Sequence, residues 1–189
     1  MISDKSQADI EQLVSAAQKG DSNAFGTLYD LFVNQIYRYV YFRVGAQEAE
    51  DLTELVFLKT WENIRQYRSN NRSFSSWLFR IAHNIVVDYY RSNRVNGELT
   101  EEYEDHRAEA NTPHRAHMHF DQTLLSQIMH ELKDHYRQIL VLKYINDLSY
   151  EEIGFIMERS PSALRILQFR ALKNLRHILK KRGISETDI

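Results

Sequence analysis

The sequence predicts an all-α protein of two small helical domains, an N-terminal helical bundle and a C-terminal helix-turn-helix, joined by a flexible acidic linker. Three observations carry this prediction. Apolar residues recur at steps of three and four along most of the 189 residues. Only 6 glycines and 2 prolines interrupt them, too few for turn-rich β architectures. Residues 96–120 form a polar, weakly apolar connector with six acids (Glu98, Glu101, Glu102, Glu104, Asp105, Glu109) and two arginines. The expected divisions are a bundle over 1–95, a linker over 96–120, a helix-turn-helix unit over 121–182 and a tail over 183–189.

Taken in order, residues 9–19 place Ile10, Leu13, Val14 and Ala17 at helical spacing before Gly20 stops the run. Asp21 or Ser22 can cap the next helix. There Phe25, Leu28, Phe32, Ile36, Val40 and Val44 follow at near-constant steps of four up to Gly45. The stretch IYRYVYFRV has strand-like residue types, yet the step of four continues through it, so it is read as helix. Residues 46–64 form a third helix, with Glu48, Glu50 and Asp51 favouring the positive end of its dipole. A polar loop, QYRSNNRS, leads to Ser73, which can cap a fourth helix with Phe74, Trp77, Leu78, Ile81, Ile85 and Tyr89 on one face.

Beyond the linker, two helices divide near residues 133–135. Ser149 precedes Glu152 by three, the capping-box spacing, and Ser160-Pro161 sets a cap directly before a proline at the first helical position. Helices over 150–157 and 161–180 are therefore joined by about three residues, the spacing of a helix-turn-helix. Leu164, Leu167, Ala171, Leu175 and Ile178 form the buried side of the second. Ser162, Arg165 and Phe169 share an exposed face that Lys173 continues.

Composition removes whole classes of function. With no cysteine there is no disulfide framework, thiolate nucleophile or zinc-thiolate knuckle, and a reducing, cytoplasmic setting is expected. Apolar runs fall far short of the ~20 residues that cross a bilayer, and the opening MISDKSQADIEQ has no apolar signal core, so neither secretion nor membrane insertion is expected. No glycine-rich nucleotide loop and no GxSxG turn is present; no catalytic residue, cofactor or enzymatic activity is assigned. His114, His117 and His119 form an HxxHxH run beside Pro113, with His106 nearby. Lacking a metalloprotease's helical spacing and intervening glutamate, it is read as linker, and no metal is assigned.

The net charge of −2 conceals a strong sorting. Residues 65–94 hold six arginines (65, 68, 72, 80, 91, 94) against one acid, Asp88, and residues 159–182 hold eight basic residues and no acid. Solvated helix faces would produce a single run of this kind, but two acid-free or nearly acid-free clusters point to nucleic acid. The first cluster interleaves Tyr67, Trp77, Phe79, Tyr89 and Tyr90 with its arginines. Cations hold backbone and aromatic rings stack exposed bases. Trp61 and Trp77 lie in apolar stripes and are read as core. Tyr67 fits either a base-stacking or a structural role, and His83 and Asn84 fit either base contact or an intramolecular pair.

The blocks AEDLTELVFLKTW (49–61) and FSSWLFRIAHNIVVDYYRSNR (74–94), followed by LSYEEIG (148–154) and RALKNLR (170–176), resemble the second and fourth conserved regions of sigma-70 family factors, in the extracytoplasmic-function (ECF) group. The match rests on Asp51-Leu52, Val56-Phe57-Leu58, Trp61, Phe74, Trp77-Leu78, Ile81-Ala82, Asn84, Asp88 and Arg91 in the first half.

This resemblance implies a factor that binds core RNA polymerase and promoter DNA, with an anti-sigma factor as a further partner. It assigns −10 recognition and melting to residues 1–95, through Arg65, Tyr67, Arg68, Arg72, Arg80, His83, Asn84 and Arg91. It assigns −35 recognition to residues 121–182, through Ser162, Arg165, Phe169, Arg170 and Lys173, and polymerase docking to Asp51, Leu52, Glu54 and Leu55. Extruding a base costs a few kcal/mol, which binding has to offset without nucleotide hydrolysis. The chain departs from the family pattern at Glu54-Leu55, where Gln-Glu is common, and at Ile166-Leu167-Gln168, where Ser-Arg-Leu is frequent. The alternative reading is a stand-alone two-domain helix-turn-helix regulator acting on an operator.

Overall fold

Side-chain caps and apolar stripes set the helices where the periodicity placed them, with ends shifted by a residue or two, except that the helix expected from Leu124 starts at His119. The computed structural model describes residues 6–69, 72–95 and 119–184, and among them there are α-helices and no strand. The expectations for residues 96–118, with His106, His114 and His117, and for residues 185–189 lie outside the described residues. So do those for the side chains of Arg94 and His119.

Helix α1 (Gln7–Gln18) starts at a capping box in which the Asp9 amide donates to Ser6 Oγ and the Ser6 amide donates to the Asp9 carboxylate. Asp21 caps α2 (Ser22–Val44) by accepting from the amides of Asn23 at 2.9 Å and Ala24 at 3.1 Å. Leu28, Phe32, Ile36, Tyr39 and Val40 line its buried side. At Gly45 φ is +96°, a conformation that an L side chain rarely adopts, and the chain reverses there into α3 (Ala46–Asn63). A 3-10 turn at Ile64–Gln66 leads toward α4 (Phe74–Val95), where the Ser76 amide bonds Ser73 Oγ at 3.1 Å. Phe32 meets Phe74 and Tyr39 meets Phe79 edge to face, joining α2 to α4.

In the second half come α5 (His119–His130), α6 (Asp134–Leu140), a π turn at Val141–Ile145, α7 (Tyr150–Met157) and α8 (Pro161–Lys181). Both caps expected of the helix-turn-helix are present. The Glu152 amide donates to Ser149 Oγ at 3.2 Å and its carboxylate accepts from the Ser149 amide at 3.0 Å, while the Ala163 amide donates to Ser160 Oγ at 3.3 Å. Glu158 has a left-handed backbone (φ 54°) that turns the chain from α7 into α8.

One hydrophobic core runs through both halves, from Ile10 in α1 to Ala171 in α8. Helix α7 packs on α4, and α5 and α6 pack on α2. The two helical units are thus joined by side-chain packing as well as by the intervening chain. No helix among the described residues is long and apolar enough to cross a membrane.

Candidate nucleic-acid interface

Three surfaces collect the residues that the sequence singled out. The first is the outer face of α8. Ser162, Arg165, Phe169, Arg170 and Lys173 are all exposed and follow one another along the helix. The stripe opposite is inward: Leu164 and Ala171 are fully buried, and Leu167, Leu175 and Ile178 are half-buried against the core. The Arg165 guanidinium lies over the Tyr150 ring, 5.1 Å from its centroid, so α7 supports this cation of α8. Ile166 is also exposed on this face, a residue that the apolar periodicity alone does not single out.

The second surface is the exposed side of α3. Asp51, Glu54 and Leu55 lie outward and Leu52 is half-buried. Leu58, 54% exposed, extends the patch and was missed; its signal is the i+4 and i+7 relation to Glu54 and Asp51. A groove beside it, between α3 and α4, has Leu52 and Leu55 on one wall and Ile81, Ile85 and Tyr89 on the other, with Asp88 and Arg91 at its edge.

The third, on α4 and the loop before it, divides in two. Arg65, Arg68, Asn84 and Arg91 are exposed, and Arg91 pairs with Asp88 at 3.1 Å. Arg72, though exposed, and the half-buried Arg80 and His83 face the second helical unit. Arg80 Nη1 donates to the carbonyls of Ile156 (2.7 Å) and Phe155 (3.1 Å), and its Nη2 pairs with Glu158. Those carbonyls lie at the C-terminal end of α7, the negative pole of its dipole. The guanidinium carbon of Arg72 lies 4.2 Å from the centroid of the Phe155 ring. Ser73 donates to Glu152 at 2.7 Å, so the caps of α4 and α7 meet. In this arrangement, anionic and aromatic groups of α7 occupy part of the cationic face of α4.

Tyr67 departs from the base-stacking reading. It is 4% exposed, with its ring against Phe74 and Trp77. Its hydroxyl reaches the Glu11 carboxylate at 2.8 Å and the Arg72 carbonyl at 2.9 Å. Burial, and then Glu11, push its phenol well above the usual range. The ring folds inward because the two aromatic residues that start α4 offer it an apolar seat, and it tethers the arginine loop from beneath. Trp61, by contrast with its core reading, sits at the surface edge, 37% exposed and edge-on to Phe25.

Behind the α4 face lies a polar knot that links the two units. Arg43 is fully buried, its Nη1 donates to the Tyr39 hydroxyl at 2.9 Å, and its Nη2 is shared between both Asp134 oxygens at 2.9 and 3.1 Å. Burial alone would raise the Asp134 carboxyl, but Arg43 and Arg137 hold it below the ordinary carboxylate range. Gln138 and His83 Nδ1 are 2.8 Å apart. Burial, and then the charges of Arg43 and Arg80, lower His83 to about 4. It is therefore neutral near pH 7, and Nδ1 accepts from the Gln138 amide.

The family model for sigma-70 region 2 matches residues 28–95, and that for sigma-70 region 4 matches residues 122–175. Among curated relatives, the ECF RNA polymerase sigma factor BldN of Streptomyces coelicolor is 32% identical over 179 residues, 93% of this chain and 68% of the relative. The ECF RNA polymerase sigma factor SigW of Bacillus subtilis is 31% identical over 183 residues, 90% of this chain and 97% of the relative. Two solved structures share the fold at a TM-score of 0.68. CnrH in complex with the cytosolic domain of CnrY is 21% identical over 89% of this chain and 96% of that one. RpoE in complex with the anti-sigma factor NepR from Bartonella quintana is 20% identical over 82% of this chain and 96% of that one.

Proposed function

The chain belongs to the ECF RNA polymerase sigma factors of the sigma-70 family, and from that premise we propose how its residues divide the work of promoter-specific initiation. Residues 1–95 engage the −10 element and the polymerase, residues 121–182 engage the −35 element, and 96–120 span the distance between them. The observation that carries this reading is the pair of cationic helix faces, on α4 and α8, placed in separate helical units with the acidic and apolar face of α3 beside the first.

Each surface suits one task. On α8, Arg165 and Arg170 can pair with guanine edges, while Ser162 and Lys173 reach phosphates. On the first unit, Arg65, Arg68, Arg72, Arg80 and Arg91 follow the non-template strand by charge, and the Asn84 amide adds hydrogen bonds to it. Tyr67 is a positioning residue there: from inside the fold it holds the carbonyl of Arg72 and so fixes the arginine loop. His83 contributes through Gln138 while the two units are packed together. Because Arg80 and Arg72 are engaged by α7, single-stranded DNA gains the full face of α4 only when α7 leaves it, and docking on polymerase supplies the binding energy for that separation.

Asp51, Leu52, Glu54 and Leu55, extended by Leu58, dock on core polymerase through charge at the rim and apolar contact in the middle. The chain itself performs no catalysis and acts in the cytoplasm. An anti-sigma factor is a further partner, a reading supported by the two related folds in complex with CnrY and with the anti-sigma factor NepR. The test is competition for core enzyme against another sigma factor. Charge reversal at the exposed Asp51 (Asp51→Lys) is expected to weaken core binding about thirtyfold, the low end of the losses that breaking a charged contact buried on binding brings. Unchanged competition places docking elsewhere.

A further inference from the structure

The outward face of α8 holds two large apolar side chains that the fold does not use. Phe169 is 67% exposed and Ile166 is 56% exposed, one helical turn apart, while the helix buries Leu164 and Ala171 on the opposite side. A β-branched residue in an exposed helical position helps folding less than lysine, arginine or glutamine would. Ligand contact therefore explains the pair better than stability does.

The surroundings specify the ligand. Arg165, Arg170 and Lys173 share this face, and no acidic residue occurs from residue 159 to residue 182. An apolar pair set in that field suits a polyanion carrying apolar groups between its charges. Duplex DNA answers this description in one place, the thymine C5-methyl group on the floor of the major groove. Beside the arginines, which suit guanine, the amide side chains of this part of the helix are turned to the protein itself. Gln168 accepts from the Tyr150 hydroxyl and donates to that of Tyr144, and Asn174 donates to the Arg170 carbonyl. Gln168, with both amide atoms engaged, is not left to form the bidentate pair that reads adenine, and Asn174 Nδ2 is turned back to its own helix.

We propose that Ile166 and Phe169 read thymine methyl groups in the upstream promoter element, making this chain selective for thymine at two neighbouring positions. The inference rests on the reading of α8 as the −35 recogniser. The separation fits: three residues of helix rise about 4.5 Å, close to the ~3.4 Å step between successive bases. Arginine contacts to guanine then flank a thymine-specific centre.

The test uses holoenzyme, the full chain with core polymerase, to enrich duplexes randomised over the upstream element. Each thymine of the enriched element is then replaced by uracil, which lacks only the methyl group. Two adjacent positions are expected to lose about fourfold in affinity each, the worth of one buried methyl-sized group. Ile166→Ser and Phe169→Ala are each expected to abolish that loss at one of the two positions. Enrichment of a thymine-containing element that tolerates uracil everywhere overturns the inference and leaves the −35 reading standing. No enrichment of any upstream element overturns both. If Ile166→Ser lowers affinity for core enzyme without DNA, the pair contacts protein and the inference fails.

Discussion

His83 shows how a single side chain can be written for two environments. Its ring nitrogen accepts from Gln138 only while neutral, and burial, with Arg43 and Arg80 nearby, lowers it to about 4. The unfolded chain takes up that proton near pH 6.5. Between about 6.5 and about 4 the unfolded state binds more protons than the native state, so stability falls as pH drops through this window. His130, also lowered to about 4 by burial and then by Arg137, acts in the same direction. Thermal melts from pH 7 to pH 4.5 are expected to show a steady decline in Tm, with a shallower slope in His83→Gln. An unaltered slope would mean that the imidazole is not held neutral. Tyr67 carries a related lesson. Its place among polar residues suggested a solvent-facing ring, and only the three-dimensional neighbours Phe74 and Trp77 reveal the apolar seat it takes.

At the scale of elements, the helix-turn-helix was the most legible part. Ser149 with Glu152, and Ser160 with Pro161, are local devices whose partners lie within three residues, so the bounds of α7 and α8 could be read almost to the residue. The strand-like second half of α2 was also readable, because its step of four outlasts its residue types. Gly154 was not. A side chain there would place Cβ 2.8 Å from the Arg159 carbonyl oxygen, where the chain turns from α7 into α8. Glycine in a helix interior ordinarily costs stability relative to alanine, and here the close approach reverses that preference. Gly154→Ala is expected to cost about 1–3 kcal/mol, as overpacking does, measured by chemical denaturation, and to weaken −35 binding with it. A stabilised variant would show that the turn accommodates the methyl group.

For the molecule as a whole, linear charge sorting suggested two independent modules, and the structure joins them. The knot that joins them was illegible for a physical reason. Arg43 sits among aromatic residues in α2, and its partner Asp134 lies 91 positions away, beyond the reach of any local pattern. The same ambiguity affects α4, since an arginine suited to a phosphate is equally suited to the carbonyl end of a helix. Arg80 and Arg72 meet α7 in this way, through the carbonyls of Phe155 and Ile156, the Glu158 carboxylate and the Phe155 ring. Phe155→Ala combined with Glu158→Gln removes the side-chain part of that contact, leaving the carbonyl bonds, and is expected to loosen α7 from α4. Affinity for a single-stranded −10 oligonucleotide, read by fluorescence anisotropy without polymerase, should then rise about five- to tenfold, the effect of recovering roughly 1 kcal/mol of blocked contact. Unchanged affinity would mean that α7 does not compete with DNA for α4.

The division of labour between the two cationic faces is tested most directly by run-off transcription with purified core enzyme, comparing a fully duplex promoter with the same promoter pre-melted over its −10 element. The chain is expected to direct transcripts from both templates. Arg165→Ala, at the exposed face of α8, should lose about tenfold on the duplex, the cost of one specific base contact, and little on the pre-melted template. Equal loss on the two, or a chain that directs no transcript yet shifts duplex DNA by itself, would contradict the account.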